Sequence, residues 1–254
     1  MPTLRELQER RAFECRLTPD RALETLDAAE EFLRERGVLT LMATSSLPSL
    51  FGACHEEPYQ EGGRGFGAWP RTKYPWGVFL GGRNDTYATK LHRGKTLFLS
   101  REVAALADPI CRAEIARMES ADPGWARLLR HLNNSGPSLL EDLQRELELK
   151  PRELKALRAP LERCGAVVAR PVVVPPHQHT SELARWDHVF TSPTRDVADL
   201  AGLVVAGVRA AVVVRENEPR KWFSWTWRWD DELVERLVAE GRLAQPEEGW
   251  LWAP

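Results

Sequence analysis

No apolar run in the chain approaches the roughly 18 to 20 residues that cross a bilayer, which excludes a membrane-spanning helix on sequence grounds. Cysteine is sparse: positions 15, 54, 111 and 164 are widely scattered with no CxxC pair, which excludes a disulfide framework and a zinc ribbon. Neither charge sign dominates, with 35 Lys and Arg against 37 Asp and Glu and a net charge of −2. That balance neither steers the chain toward nucleic acid nor excludes it, because a local basic patch can act inside a neutral protein. Phosphate-loop spacing is missing too. Gly62 to Gly67 has neither GxGxxG nor a GK[ST] ending and reads as a loop. At the N-terminus Leu4 and Leu7 alternate with Arg5, Glu6, Glu9 and Arg10, an amphipathic helix and not a signal-peptide core, so a cytoplasmic location is expected.

What is present is a strong local pattern from Trp125 to Val174. Trp125, Leu128, Leu129 and Leu132 repeat at helical spacing and stop at Asn133-Asn134-Ser135-Gly136-Pro137. Ser138 and Glu141 have capping-box spacing and predict a second helix from there, with Leu139, Leu140, Leu143 and Leu147 on its buried stripe. Pro151 then opens a third helix and Gly165 closes it. Its apolar side is Leu154, Leu157, Leu161 and Cys164. Arg152, Lys155 and Arg163 fall roughly opposite, with Arg158 on the flank. The β-branched runs Val167–Val168 and Val172–Val174, on either side of Arg170 and Pro171, are expected to form a hairpin. Three helices followed by a hairpin is the order of a winged helix-turn-helix. Such units bind nucleic acid or serve as protein-interaction modules, and the order of elements alone does not separate the two.

The expected fold class is α+β and helix-rich, with tandem winged-helix domains behind an N-terminal helical and β-hairpin region. Residues 1–120 form that N-terminal region, 121–176 the winged helix, and 177–254 a connector and a second, degenerate winged helix. In the first part, helices are predicted at Leu4–Phe13 and at Pro19–Arg36 with Thr18 as cap, then a strand at Val38–Met42. Thr86–Leu91 and Thr96–Leu99 read as strands joined by a basic tip, followed by helices at Ser100–Ala107 and Asp108–Glu119. In the last part, helices are predicted at Thr194–Val208 and Asp230–Glu240, the second closed by Gly241.

The Ser135-Gly136-Pro137-Ser138 turn, the Val167–Val174 segment, Trp186-Asp187-His188, Phe223-Ser224-Trp225 and Glu240-Gly241-Arg242-Leu243 together resemble winged-helix proteins related to the AlkZ/YcaQ interstrand-crosslink DNA glycosylases. The similarity spans roughly residues 75 to 254. It implies consecutive winged helices lining a DNA-binding surface and a role in excision repair of bulky or crosslinking alkylation. Those enzymes position a nucleophilic water with a Gln-x-Gln or Gln-x-Asp motif, and this chain contains neither. No catalytic residue is assigned on this reading, and a non-enzymatic relative is the alternative.

The candidate nucleic-acid contacts are Arg152, Lys155, Arg158, Arg163 and Arg170, with Lys90, Arg93 and Lys95 at the basic hairpin tip. Trp222 and Trp225, in a window that also holds Trp227 and Trp229, are candidates for base stacking or for core filling. His177 and His179 offer only two imidazoles, so no metal or other cofactor is expected. Cys54-His55-Glu56-Glu57 could pair a thiol with a base, and Asp187 beside His188 an acid with a base; solvated charge and structural hydrogen bonding are the plainer readings. The expected partner is duplex DNA, damaged duplex included, and a protein partner is left open.

Overall fold

The computed structural model describes residues 1–174, 178–192 and 200–254. The chain is α+β and helix-rich, with small antiparallel sheets. Its first elements are α1 (Leu4–Glu14), α2 (Leu26–Arg36), β1 (Val38–Thr40), α3 (Trp76–Gly81), β2 (Thr86–His92) and β3 (Lys95–Ser100). Next come α4 (Arg101–Ala121), α5 (Pro123–Ser135), β4 (Ser138–Leu139), α6 (Leu140–Glu146), α7 (Pro151–Cys164), β5 (Val167–Val174), β6 (Gln178–Arg185) and α8 (Trp186–Val189). The last are α9 (Ala201–Ala211), β7 (Val213–Arg215), α10 (Leu233–Ala239) and β8 (Trp250–Trp252). No helix among the described residues is long and apolar enough to cross a membrane.

The elements gather into two compact units. One comprises Met1–Tyr87, Leu97–Val103 and Leu200–Pro254. Its chain ends share a core, because Leu7 and Cys15 at the N-terminal side are buried with Val212 and Val213, and Leu4, Trp250 and Trp252 cover them. Thr3 and Glu6 form a reciprocal capping box that starts α1. Thr25 starts α2 by accepting from the Ala28 N–H, and Gly37, at φ 75°, ends it in the left-handed region. β1 pairs antiparallel with β3 in the register Val38 to Leu99, and β7 pairs with β8 in the register Val213 to Trp252. The expected helix over Pro19–Arg36 is thus shorter. Pro19–Arg21 is an isolated 3₁₀ turn, and Thr25, not Thr18, is the effective cap.

The other unit comprises Ala88–Thr96 and the described residues of Ala104–Asp199. α5 begins at Asp122, whose Oδ1 accepts from the backbone of Gly124 and Trp125, and it buries Leu128, Leu129 and Leu132. β4 pairs with β6 through Ser138–Leu183 and Leu139–Glu182, and β6 pairs with β5 along its whole length, giving the strand order β4-β6-β5. Leu143, Leu154, Leu161, Cys164, Leu183, Trp186 and Phe190 complete this core.

Several local expectations change. Ser138 belongs to β4, its hydroxyl donates to the Gly136 carbonyl, and α6 starts at Leu140 without a side-chain cap. The Ser138–Glu141 spacing is therefore not a capping box here, because pairing with Leu183 and Glu182 claims the backbone first. Val167–Val168 and Val172–Val174 are not two strands of one hairpin. They lie in the single strand β5, and its partner is β6. Ser100–Ala107 and Asp108–Glu119 form one helix, α4, which carries Pro109 internally. The α4 interior forgoes one hydrogen bond at Pro109, and tertiary burial of Ala104, Ala107, Ile110 and Cys111 sustains the helix. The boundary expected between 176 and 177 lies outside the described residues, between β5 and β6 in sequence. The start of the helix expected from Thr194 lies outside the described residues, which resume at Leu200 before α9. The helix expected over Asp230–Glu240 is α10, and Asp230 precedes it with its carboxylate accepting from the Glu232 N–H.

Candidate nucleic-acid interface

Local signals set both ends of α7, and its buried face sustains the helix through the internal Pro160. Pro151 occupies the first turn, Glu153 reaches back to accept from the Lys150 N–H at 2.7 Å, and Gly165 at φ 82° closes the end. Its buried face carries Leu154, Leu161 and Cys164. Arg152, Lys155 and Arg163 lie on the exposed face together with Ala156 and Ala159. None of the three cations forms an ion pair among the described residues. Two alanines between them keep that face shallow.

The remaining basic candidates divide. Arg158 is half-buried and lies 3.2 Å from Oε1 of Glu162. That oxygen has no hydrogen bond, so the contact is an ion pair alone. Lys90 donates from Nζ to Thr96 Oγ1 at 2.7 Å and is also half-buried. Burial pulls the Lys90 ammonium below the usual lysine range, helped by Arg158 and opposed by Glu162. Burial likewise pushes the Glu162 carboxyl up, against the attraction of Arg158 and Lys90. Lys90 is thus engaged by Thr96 and Arg158 by Glu162, and both are less open to solvent than Arg152, Lys155 and Arg163. Arg93 and Lys95 remain exposed on the tip between β2 and β3, and Arg170 is exposed on β5 in register with Glu182.

Trp222 and Trp225 are not open for stacking. Both are buried, at 0% and 1% exposure, and Trp222 Nε1 donates to Ser46 Oγ at 3.0 Å. A base cannot reach either ring face without unpacking the core, so these two are core residues. Trp227 is the exposed member of the window.

The other candidate chemistries lose support. The Cys54 thiol is buried, lies 3.3 Å from the Leu50 carbonyl and is pushed up to about 12 by burial, so it is held as a thiol. His55 Nε2 meets the Arg16 carbonyl at 2.7 Å and does not face Cys54 chemistry. Asp187 is engaged by Arg185, Nε to Oδ1 at 3.0 Å and Nη2 to Oδ2 at 2.7 Å, which is a structural fork rather than a pairing with His188. His177 lies outside the described residues, and of His179 only the backbone, in β6, is described. Among the described residues no group of three or more His, Cys, Asp or Glu side chains could hold a metal ion.

One surface feature was not legible in the loop composition. Tyr59, Phe66 and Tyr74 are exposed and mutually in contact, with centroid separations of 5.2, 6.4 and 5.2 Å, and Trp69 packs 5.3 Å from Phe66. The one sequence signal was four aromatics spaced through a Gly- and Pro-rich segment, and only the fold of the loop brings their rings together. Compared with protein-family models, curated proteins and solved structures, the chain matches none.

Proposed function

We propose that the protein binds duplex DNA through a winged helix-turn-helix formed by α5, β4, α6, α7, β5 and β6. The connectivity supports this reading: helix, short strand, two helices and a two-stranded wing whose second strand returns to pair with the short strand. α7 occupies the position of the helix that such units lay in a major groove. The observation that carries the proposal is its outward face, where Arg152, Lys155 and Arg163 stand exposed around two alanines, with no ion pair among the described residues. Lysine and arginine at such a face release counterions from the DNA on binding and so supply affinity that weakens with salt. A place in repair, and kinship with the AlkZ/YcaQ glycosylases, rest on the sequence resemblance. No residue is assigned to catalysis.

The test is a fluorescence-anisotropy titration of a short duplex across a salt series, comparing the parent with Arg152→Gln/Lys155→Gln/Arg163→Gln. The parent should bind, and the variant should lose affinity with a slope of log K against log salt shallower by about 0.9 for each phosphate it no longer neutralises. No binding by the parent at low salt would sink the proposal. Release of a modified base from alkylated or crosslinked duplex would establish glycosylase activity, and binding without release would identify a non-catalytic DNA binder.

A second reading is a protein-interaction module, and the exposed Tyr59–Phe66–Tyr74 cluster favours it, because contiguous exposed apolar surface marks interaction sites. Retained duplex binding after Tyr59→Ser/Phe66→Ser would separate that surface from the DNA-binding one.

A further inference from the structure

The turn between β2 and β3 consists of Arg93 and Gly94, at φ 55° and 84°. Two consecutive positive φ values are the geometry of a primed two-residue hairpin turn, for which Asn–Gly is the favoured pair. Arginine at the first position is conformationally unfavourable, since a side chain with a Cβ seldom adopts the left-handed region. The strain points to a use for the charge that the turn itself does not need.

The tip also sits against α7. A Cβ built on Gly94 would lie 3.4 Å from Cγ and 3.5 Å from Cδ of Arg163, so the aliphatic stem of Arg163 runs along the turn. On the same stretch of α7, Arg158 forms an ion pair with Glu162 at 3.2 Å, and within the hairpin the Lys90 ammonium donates to Thr96 Oγ1 at 2.7 Å. Arg93, Lys95 and Arg163 thus converge at one end of the helix, and Arg152 and Lys155 mark the other. Arg152 and Arg163 are eleven residues apart in sequence, about 16 Å along the axis at about 1.5 Å per residue. That length is comparable with the separation of the two sugar-phosphate backbones that border a major groove about 12 Å wide.

We propose that the Arg93–Gly94–Lys95 tip, together with Arg163, is a second phosphodiester-binding point on duplex DNA, held in place by the packing of the Gly94 turn along the Arg163 stem. The proposal rests on the reading of α7 as the DNA-contacting helix and adds an anchor that a winged helix alone does not supply. Lys90, which donates to Thr96 within the hairpin, is a positioning residue in this arrangement, and the exposed tip meets the phosphates.

The test uses the full chain with Arg93→Asn and with Arg93→Asn/Lys95→Gln, measured by thermal melting and by duplex titration over a salt series. Asparagine suits the turn better than arginine, so Arg93→Asn should melt at or above the parent temperature while binding duplex more weakly. The double variant should make the salt slope shallower by about 1.8, two phosphates at about 0.9 each. Arg93→Lys should keep the parent slope. Unchanged affinity and slope in the double variant, with the α7 variant impaired, would overturn this inference and leave the proposed function standing. No duplex binding by the parent would remove both. A double variant that melts well below the parent would show that the tip's charge serves the fold, which also overturns the inference.

Discussion

The indole Nε1 of Trp186 donates a 2.7 Å hydrogen bond to Oδ1 of Asp108, a carboxylate with no solvent exposure. Arg112, one turn further along α4, donates from Nε to both Asp108 oxygens at 2.9 and 3.1 Å and from Nη2 to the Phe190 carbonyl at 2.9 Å. The buried charge is thereby matched by a cation and an indole, and α8 is tied to α4.

Trp186→Phe keeps the aromatic volume and removes the donor, leaving part of a buried carboxylate unpaired. The expected loss is about 2 kcal/mol, the range for hydrogen bonds to charged groups. Asp108→Ala strips the partner from Arg112 and leaves a hole, with an expected loss of about 3 to 5 kcal/mol. Urea unfolding followed by far-UV circular dichroism measures both. Equal stability of Trp186→Phe and the parent would show that the indole bond contributes nothing net.

The ring of Trp222 packs against α9 at Gly207, where an added Cβ would lie 2.5 Å from Cζ3. Two effects oppose each other in Gly207→Ala. Alanine gains about 1 kcal/mol of helix propensity, and overpacking a filled core costs about 1 to 3 kcal/mol. The clash wins because Trp222 is fully buried and its Nε1 is fixed on Ser46, so the ring has nowhere to slide. A lowered melting temperature is expected, and Trp222→Leu/Gly207→Ala should lose less than the two single changes added together.

How far this was legible in advance follows from where each residue's partner lies. α7 was legible because Pro151 and Gly165 are local signals and its Leu spacing is internal to the helix. β4 was not, because Ser138 and Leu139 pair with Leu183 and Glu182, and a short stretch that reads as a helix start becomes a strand only when that distant strand arrives. Arg170–Pro171 looked like a turn for a similar reason. β5 is an edge strand in the order β4-β6-β5, and an edge strand tolerates a residue without an N–H, so the strand runs straight through.

Among the site residues, chain periodicity separated Arg152, Lys155 and Arg163 from the buried side. It could not show that Arg158 pairs with Glu162, nor that the Gly94 turn rests on Arg163. The second relationship joins the β2–β3 turn to α7 across a long stretch of sequence. Trp222 and Trp225 carried two readings from composition alone, and burial decides for the core.

Asp187 predicts a pH dependence. Burial would raise its carboxyl, but the hydrogen bond and charge of Arg185, with His188 and Arg112 nearby, outweigh burial and hold it below the usual aspartate range. A depressed folded-state value stabilises the fold above the unfolded value, near 3.9, and that contribution is lost as pH falls through the lower folded value. The stability gap between the parent and Asp187→Asn should therefore be constant from neutral pH down to about 5 and shrink below about 4. A gap that stays constant down to the acid limit would show that the Arg185 fork does not depend on the charge.

Arg11 makes the last prediction, because it braces the most strained backbone in its unit. Val212 is β-branched and held at φ 68°, where such a side chain is a conformational outlier. Arg11 Nη1 donates to the Ala211 carbonyl and, at 3.3 Å, to the Val213 carbonyl, so one guanidinium grips both sides of the strained residue; Nη2 donates to the Ser46 carbonyl at 2.6 Å. Val212 and Val213 are themselves in the buried cluster with Leu7 and Cys15, so relaxing the backbone would pull apolar surface out of the core. Arg11→Lys keeps the charge but replaces a planar fork with one ammonium, which cannot span three carbonyls. Its expected cost is about 2 kcal/mol, and Arg11→Met should cost more. Hydrogen exchange gives the sharper readout: amides of Val213 to Arg215 should exchange faster in Arg11→Lys, while those of α5 and α7 keep their parent protection. Uniformly faster exchange in both units would mean that Arg11 supports the chain as a whole and not the Val212 turn.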